Sequence, residues 1–353
     1  MINLDNEAAV KKMDSLGMLD LTMGYPQQFS EGLRLAQEQF SAAPKAFDHV
    51  IILGTGGGSA ASGNLLRSYL FDRLPVPLVI NQGYRVPRWV DGGTLALVVT
   101  HSGNTEEVLS ATEQAMAQGA QVVAITAGGK LMEMAKEKSL PTIVVPGGLM
   151  PRVALGYIFV PILHILEEYG LVEGCIAELE ETIALFAELG KKWGPQSPME
   201  ENLAKQIAGQ IFRRVPVVYG SLPFTDSVAW RWKNQFGENS KMPAFWNAIP
   251  ALHHDEIVGW DAEAAITGQF ACVFLKDQED GEKITKRIQI TNQILSERTS
   301  STIEVETVGK SRLARLFSLV YLGDFVTCYL PILGGIDPTP VAIIDLFKQK
   351  MGQ

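Results

Sequence analysis

The sequence predicts an α/β fold of two domains in series, each an αβα sandwich built on a parallel sheet. Two observations carry that expectation. Short β-rich runs alternate with helical patterns, and those runs are near-continuously apolar, as strands covered on both faces must be. A third observation gives the count of two: after a Gly/Pro-rich break the same alternation starts again within a chain of 353 residues.

In the first round the strand runs are HVIILG (49–54), PLVIN (77–81), TLALVVT (94–100), VVAIT (122–126) and TIVVP (142–146). Helical patterns follow over 59–71, 105–118 and 152–169. The stretch 167–214 is charged and helical, broken by Gly194-Pro195-Gln196-Ser197-Pro198, and we place the boundary there: a first domain over 1–195 with leading and linking helices, a second over 196–353. The second round reads VPVVYG (215–220), a helix through Trp230, MPAFWN (242–247), FACVFL (270–275), a helix through Ile288, STIEVETV (301–308) and a long helix from Ser311. Each half opens with a strand running into a Gly-Ser turn, 53–59 and 219–221, so a duplicated architecture is expected.

Composition narrows the partners. With 39 acidic against 30 basic residues the formal charge is −9, which argues against nucleic acid or an anionic membrane, so any anionic ligand needs a local site. Cys175, Cys272 and Cys328 form no C-x-x-C pair, and a reducing cytoplasm fits them. The first residues carry Asp5 and Glu7 and no signal-type apolar core. The uncharged run 153–166 is shorter than the roughly 20 residues of a membrane span, and Asp324 interrupts the apolar stretch near the C-terminus, so both read as buried core helices.

Ligands in open α/β sheets bind at the carboxyl ends of strands. Two turns there are rich in small donors: Gly54-Thr55-Gly56-Gly57-Gly58-Ser59 and Thr100-His101-Ser102-Gly103-Asn104-Thr105. Glycines let backbone N–H groups approach an anion, hydroxyls add directed donors, and a following helix adds its dipole. The plainer alternative is that Ser and Thr only cap helices. Asn104 with Glu107 three residues later reads as an N-cap and N3 pair, with Val108, Ala111 and Ala115 on one face and a stop at Gly119. Residues 56–61 also satisfy G-x-G-x-x-A, but a dinucleotide site expects an acidic residue where Asn81 stands. Gly58 to Gly63 spaces like a P-loop yet continues Asn64-Leu65, without the Lys and Ser/Thr that meet a triphosphate, so no nucleotide cofactor is expected.

The densest polar cluster is Glu238-Asn239-Ser240-Lys241, then the run 242–246, then His253-His254-Asp255-Glu256. Solvated loops flanking a strand would explain it blandly. Metal ligation is not expected, because adjacent positions point apart and H-E-x-x-H spacing is absent. Trp230 and Trp232, His49 and His164, and Met132 and Met134 read as structural.

Taken in order, Gly57-Gly58-Ser59-Ala60, residues 102–107, residues 151–157, Glu238-Asn239-Ser240-Lys241, residues 243–247, His254 with residues 256–260, and Asp337-Pro338-Thr339-Pro340-Val341 to Lys348 resemble the bifunctional phosphoglucose/phosphomannose isomerase family. That family lies within the sugar isomerase (SIS) domain superfamily, and the resemblance covers most of the chain. It implies two flavodoxin-like SIS domains and a metal-independent aldose–ketose isomerase of hexose 6-phosphates working through a cis-enediolate. Glucose 6-phosphate and fructose 6-phosphate are the expected pair, with mannose 6-phosphate expected too.

The resemblance further implies that Ser59, Thr100, Ser102 and Thr105 hold the phosphate with the backbone at Gly57 and Gly58. It makes Glu238 the base, gives ring opening to His254 and Lys348, and sets Arg152 against the enediolate charge. A homodimer with shared sites, the histidine coming from the partner chain, is implied as well. The chain departs from the family's usual Ser-Tyr-Ser with Thr100-His101-Ser102 and from Asn-His-Asn with His253-His254-Asp255; register with Glu256 points to His254. Chemistry agrees with the assignment, since one carboxylate can move a proton between two carbons from one face, as a glutamate does in triosephosphate isomerase, and an arginine steadies the oxyanion. Two alternatives stand beside it: a non-catalytic sugar-phosphate-binding SIS regulator, which needs the cradle but not Glu238, His254 or Lys348, and an SIS isomerase for another sugar phosphate.

Overall fold

The computed structural model describes residues 1–351. Three helices lead, α1 (Glu7–Met13), α2 (Met18–Met23) and α3 (Tyr25–Gln39). The first sheet follows with β1 (His49–Leu53), α4 (Ala61–Tyr69), β2 (Leu78–Asn81), β3 (Thr94–Val99), α5 (Glu106–Ala117), β4 (Gln121–Thr126), α6 (Gly129–Lys138), β5 (Thr142–Val144) and α7 (Leu155–Glu168). Two helices, α8 (Cys175–Trp193) and α9 (Leu203–Ile211), link to the second sheet. There β6 (Val215–Ser221), α10 (Asp226–Glu238), β7 (Phe245–Ile249), α11 (Ala264–Thr267), β8 (Phe270–Lys276), α12 (Glu282–Ser296) and β9 (Ser301–Glu306) precede α13 (Arg312–Leu333) and α14 (Ala342–Met351).

All strand pairs are parallel, in the orders β2-β1-β3-β4-β5 and β7-β6-β8-β9. The first is the flavodoxin-like order, and the second repeats its first four places. β3 is buried along its whole length, and β1, β6 and β8 nearly so, which is why they read as unbroken apolar runs. In each sheet the chain goes from the first strand to one neighbour and then crosses to the other. This puts a switch point at the carboxyl ends of β1 and β3, where the two donor-rich turns stand side by side.

One hydrophobic core runs through both halves, from Phe29 and Phe159 to Trp232, Phe317 and Tyr321. α13 is its axis. It is long and apolar enough to cross a membrane by length and composition, yet every residue in it from Leu313 to Leu333 is buried inside the protein. Asp324, within that helix, is paired with Arg231 at 2.7 Å, so the charge that interrupts the run serves an internal contact.

Several local expectations shift. The glycine turn is a π-helical turn over Gly56–Ala60 before α4 begins. Asn104 does not cap α5: Thr105 holds the N-cap position, while Asn104 Oδ1 accepts from the backbone N–H of Lys130 at the start of α6. The cap signal lies on the right turn, but the side chain serves the next helix. Residues 238–241 are not a solvated loop, because α10 extends to Glu238, and Asn239 and Ser240 are buried. His164 is buried with Nε2 3.1 Å from the Phe40 carbonyl, and His49 packs against Trp89 with ring centroids 4.8 Å apart, contacts that fit structural roles.

Candidate active site

Two glycines bring the halves together. A Cβ on Gly57 would lie 2.6 Å from Oε1 of Glu238, and one on Gly58 would lie 2.6 Å from the carbonyl oxygen of Pro151. Only glycine lets the turn after β1 approach both the end of α10 and the 3-10 turn Pro151–Val153 this closely. Gly57, Glu238 and Arg152, far apart in sequence, therefore share one wall.

α10 delivers Glu238. The helix starts where the Thr225 hydroxyl accepts from the Ser221 N–H at 2.7 Å and donates to the Leu275 carbonyl at 3.0 Å, locking its first turn to the ends of β6 and β8. Asp226 in that turn accepts from Arg67 of α4 at 2.7 Å, a charge the helix N-terminus favours. At the far end Lys241, at φ 58°, folds back so that its ammonium donates to the carbonyls of Glu238 at 2.5 Å and Asn239 at 3.2 Å. The last orphan carbonyls of the helix are thus satisfied by a cation. The Glu238 side chain keeps 26 % of its surface exposed, enough to meet a ligand.

Arg152 faces it. Its Nη1 is 3.6 Å from Glu238 Oε2, Nε donates to Asn239 Oδ1 at 2.8 Å, and Nη2 donates to the Thr339 carbonyl at 2.6 Å. Burial pulls the Arg152 pKa down and the neighbouring Glu238 carboxylate pushes it back up; a guanidinium stays charged through both. Gln28 of α3 clasps the same segment, donating to the Val153 carbonyl at 2.7 Å and accepting from the Gly156 N–H at 2.6 Å.

Beneath lies a network that sequence reasoning missed. Fully buried Arg231 donates to the Gly57 carbonyl at 2.9 Å, the Arg152 carbonyl at 3.1 Å and Asp324 at 2.7 Å. Asp324 also accepts from Tyr25 Oη at 2.5 Å and from Gln235 Nε2 at 2.8 Å. One buried ion pair therefore fixes both loops that flank Glu238. Asp324 interrupting an apolar helix was the only signal for it.

In the cradle, Ser59 and Thr100 are buried, the Thr100 and Thr105 hydroxyls are 2.8 Å apart, and Ser102 is exposed with its Oγ accepting from the Asn104 N–H at 3.3 Å. The donors are neutral, so an anion here would be held by hydroxyls, N–H groups and the α5 dipole. Gly57, Gly58, Ser59, Thr100 and Thr105 line the switch point, which Gly57 joins to Glu238 and Arg152. His253 is tied within its own half, Nε2 2.7 Å from Thr291 Oγ1 and Nδ1 3.1 Å from the Pro250 carbonyl. His254 is exposed, as is Lys348 on α14. Among the described residues neither is hydrogen-bonded or ion-paired to the Glu238 cluster, so one chain does not assemble all four proposed catalytic groups by direct contact. No group of three or more His, Cys, Asp or Glu side chains is arranged to hold a metal among the described residues.

Comparison with known proteins finds relatives over nearly the whole chain. Residues 200–351 match the model of the bacterial phospho-glucose isomerase C-terminal SIS domain. The chain is 40 % identical over 337 residues to a bifunctional phosphoglucose/phosphomannose isomerase of Caldicellulosiruptor bescii, covering 95 % of this chain and 99 % of that one. It is 36 % identical to the protein of the same description from Thermoplasma acidophilum, over 92 % and 97 % of the two chains. A solved glucose-6-phosphate isomerase like protein from Thermus thermophilus shares the fold at TM-score 0.61 and 21 % identity, over 99 % of both chains.

Proposed function

This chain belongs to the bifunctional phosphoglucose/phosphomannose isomerase family, and from that membership we propose that it interconverts glucose 6-phosphate and mannose 6-phosphate with fructose 6-phosphate by metal-independent proton transfer. The observation that carries the reading is the meeting of Glu238, Gly57 and Arg152 at the switch point of the first sheet.

In the proposed reaction the phosphate sits on the hydroxyls of Ser59, Thr100, Ser102 and Thr105 and the backbone of Gly57 and Gly58. The Glu238 carboxylate takes the C2 proton of the open-chain aldose. The C–H electron pair forms the C1–C2 double bond, and the carbonyl oxygen becomes the enediolate oxyanion. Arg152, 3.6 Å from Glu238, is in reach to set its fixed positive charge against that oxyanion, which supports this role. Protonated Glu238 returns the proton to C1 while the C2 hydroxyl proton passes to the C1 oxyanion, so that C2 becomes the carbonyl and C1 the hydroxymethyl group of the ketose. His254 and Lys348 open the ring before this step, as acid and base.

The separation of His254 and Lys348 from the cluster supports a homodimer with shared sites. α14 buries none of its residues, with Ile343 80 % and Phe347 63 % exposed, and edge strand β7 exposes Phe245 and Trp246 close in sequence to His254. A second copy of the chain covers these apolar surfaces and brings His254 to the neighbouring Glu238. We keep the domain division at 1–195 and 196–353, since α8 ends at Trp193 just before it. A cytoplasmic location fits the three unpaired, buried cysteines.

The test is turnover. Purified protein in chelator should interconvert the three hexose phosphates, and Glu238→Gln should lose about 10²- to 10⁴-fold in kcat, the contribution of one positioned acid–base group. Undiminished activity in that variant would remove Glu238 from the role.

A further inference from the structure

The C-terminal arm that carries Lys348 is anchored at its root. Pro338 and Thr339 are buried, whereas α14 beyond them buries none of its residues. Two cations grip that root. Arg152 Nη2 donates to the Thr339 carbonyl at 2.6 Å and the Pro338 carbonyl at 3.4 Å, and Lys241 Nζ donates to the Pro338 carbonyl at 2.8 Å. Lys241 lies three residues after Glu238 and also holds the final carbonyls of α10.

We propose that Lys241 is a positioning residue for the isomerisation: its ammonium clamps the C-terminal arm to the end of the helix that carries Glu238. The inference rests on the isomerase reading. Three carbonyl acceptors meet the three N–H bonds of an ammonium group. A neutral amine has two N–H bonds and no charge, so losing the proton breaks one link and weakens the others. The root of the arm then depends mainly on Arg152 and on the hydrogen bonding of Asp337 to Ser15.

The charge state follows from the surroundings. The Lys241 stem is exposed, but the ammonium is turned inward. Partial burial and, after it, the Arg152 guanidinium bring its pKa down to about 8, against the pull of Asp337 on the arm, Cys328 on α13 and Glu238 on α10. Below that pH the clamp is charged, and above it the clamp loosens. Stability moves the other way. Because the folded pKa lies below the ordinary 10.5, the unfolded chain holds this proton more tightly between about 8 and 10.5, and the contribution of this group to stability grows with pH across that window. Alkaline loss of activity through Lys241 therefore comes without a matching loss of fold.

The experiment is a pH profile of kcat for the full-length wild-type enzyme, Lys241→Arg and Lys241→Met, with limited proteolysis of the arm in parallel. Wild-type kcat should fall on the alkaline side with an apparent pKa near 8. Lys241→Arg should keep neutral-pH activity and lose that limb, since a guanidinium stays charged. Lys241→Met should fold, lose about tenfold in kcat with little change in KM, show no such limb, and be cut faster near residues 334–341. Wild-type kcat in Lys241→Met, or an alkaline limb unmoved in Lys241→Arg, overturns the inference. Wild-type protein without isomerase activity would instead overturn the functional reading on which it rests.

Discussion

A methyl group on Gly57 would sit 2.6 Å from Glu238 Oε1 and 3.6 Å from Cβ of Arg152. Ordinary contact begins near 3.4 Å, so the carboxylate oxygen must retreat by about 0.8 Å, while Arg152 need not move. The retreating atom is the tip of a flexible side chain, and Gly57 is not among the positive-φ positions, so alanine fits the backbone. At such sites Gly→Ala stabilises by about 0.4–1 kcal/mol through the unfolded chain. The fold should therefore survive with Tm within about 3 °C of wild type. Catalysis should not, because a misplacement of roughly 1 Å costs on the order of 10²-fold; a loss of about 30- to 100-fold in kcat is expected, with a smaller change in KM. Fructose 6-phosphate formation followed by a coupled assay, beside a thermal melt, measures both. Wild-type kcat in a folded Gly57→Ala enzyme would show that the base is not where Gly57 touches it, and loss of activity only in step with loss of fold would show that the close approach matters to stability alone.

Two further outcomes follow from the network and the interface. Asp324→Leu strands Arg231 as a buried unpaired cation and should lower unfolding free energy by about 3–5 kcal/mol in a denaturant titration, with Asp324→Asn milder; a change below about 1 kcal/mol for the leucine variant would show that the pair is not the structural tie described. If the partner chain supplies His254, mixing inactive Glu238→Gln and His254→Ala proteins and letting subunits exchange should restore part of the wild-type rate. Each mixed dimer then holds one site with both groups intact, and no recovery on verified exchange argues that each chain works alone.

Strands β1, β3, β6 and β8 were legible because burial on both faces leaves continuous apolar runs, and the donor-rich turns because a switch point needs small residues there. Asn104 reads as the cap of its own helix, since local spacing cannot tell that its side chain reaches Lys130, 26 positions away. Residues 238–241 look like a loop beside a strand, since nothing local shows that Asn239 bonds to Arg152 and Thr327. The roles proposed for Glu238, His254 and Lys348 rest on family resemblance and not on periodicity. Asp324 stood out as a charge in an apolar helix, but its pairing with Arg231 stayed unseen because it spans 93 positions and is set by how α10 packs on α13. Long-range polar contacts carry no periodic signature, so the site was readable as parts and its tie was not.

One carboxylate, Glu238, must stand beside C1 and C2 of a sugar whose phosphate rests in the turns after β1 and β3 if the enzyme works as proposed. A crystal structure of the protein with bound fructose 6-phosphate would decide the matter. Phosphate oxygens should lie within hydrogen-bond reach of Ser59, Thr100 and Thr105, with a Glu238 oxygen about 3–3.5 Å from C1 and C2. A phosphate seated elsewhere, or a carboxylate more than roughly 6 Å from both carbons, is incompatible with the proposed role, since proton transfer needs near-contact geometry.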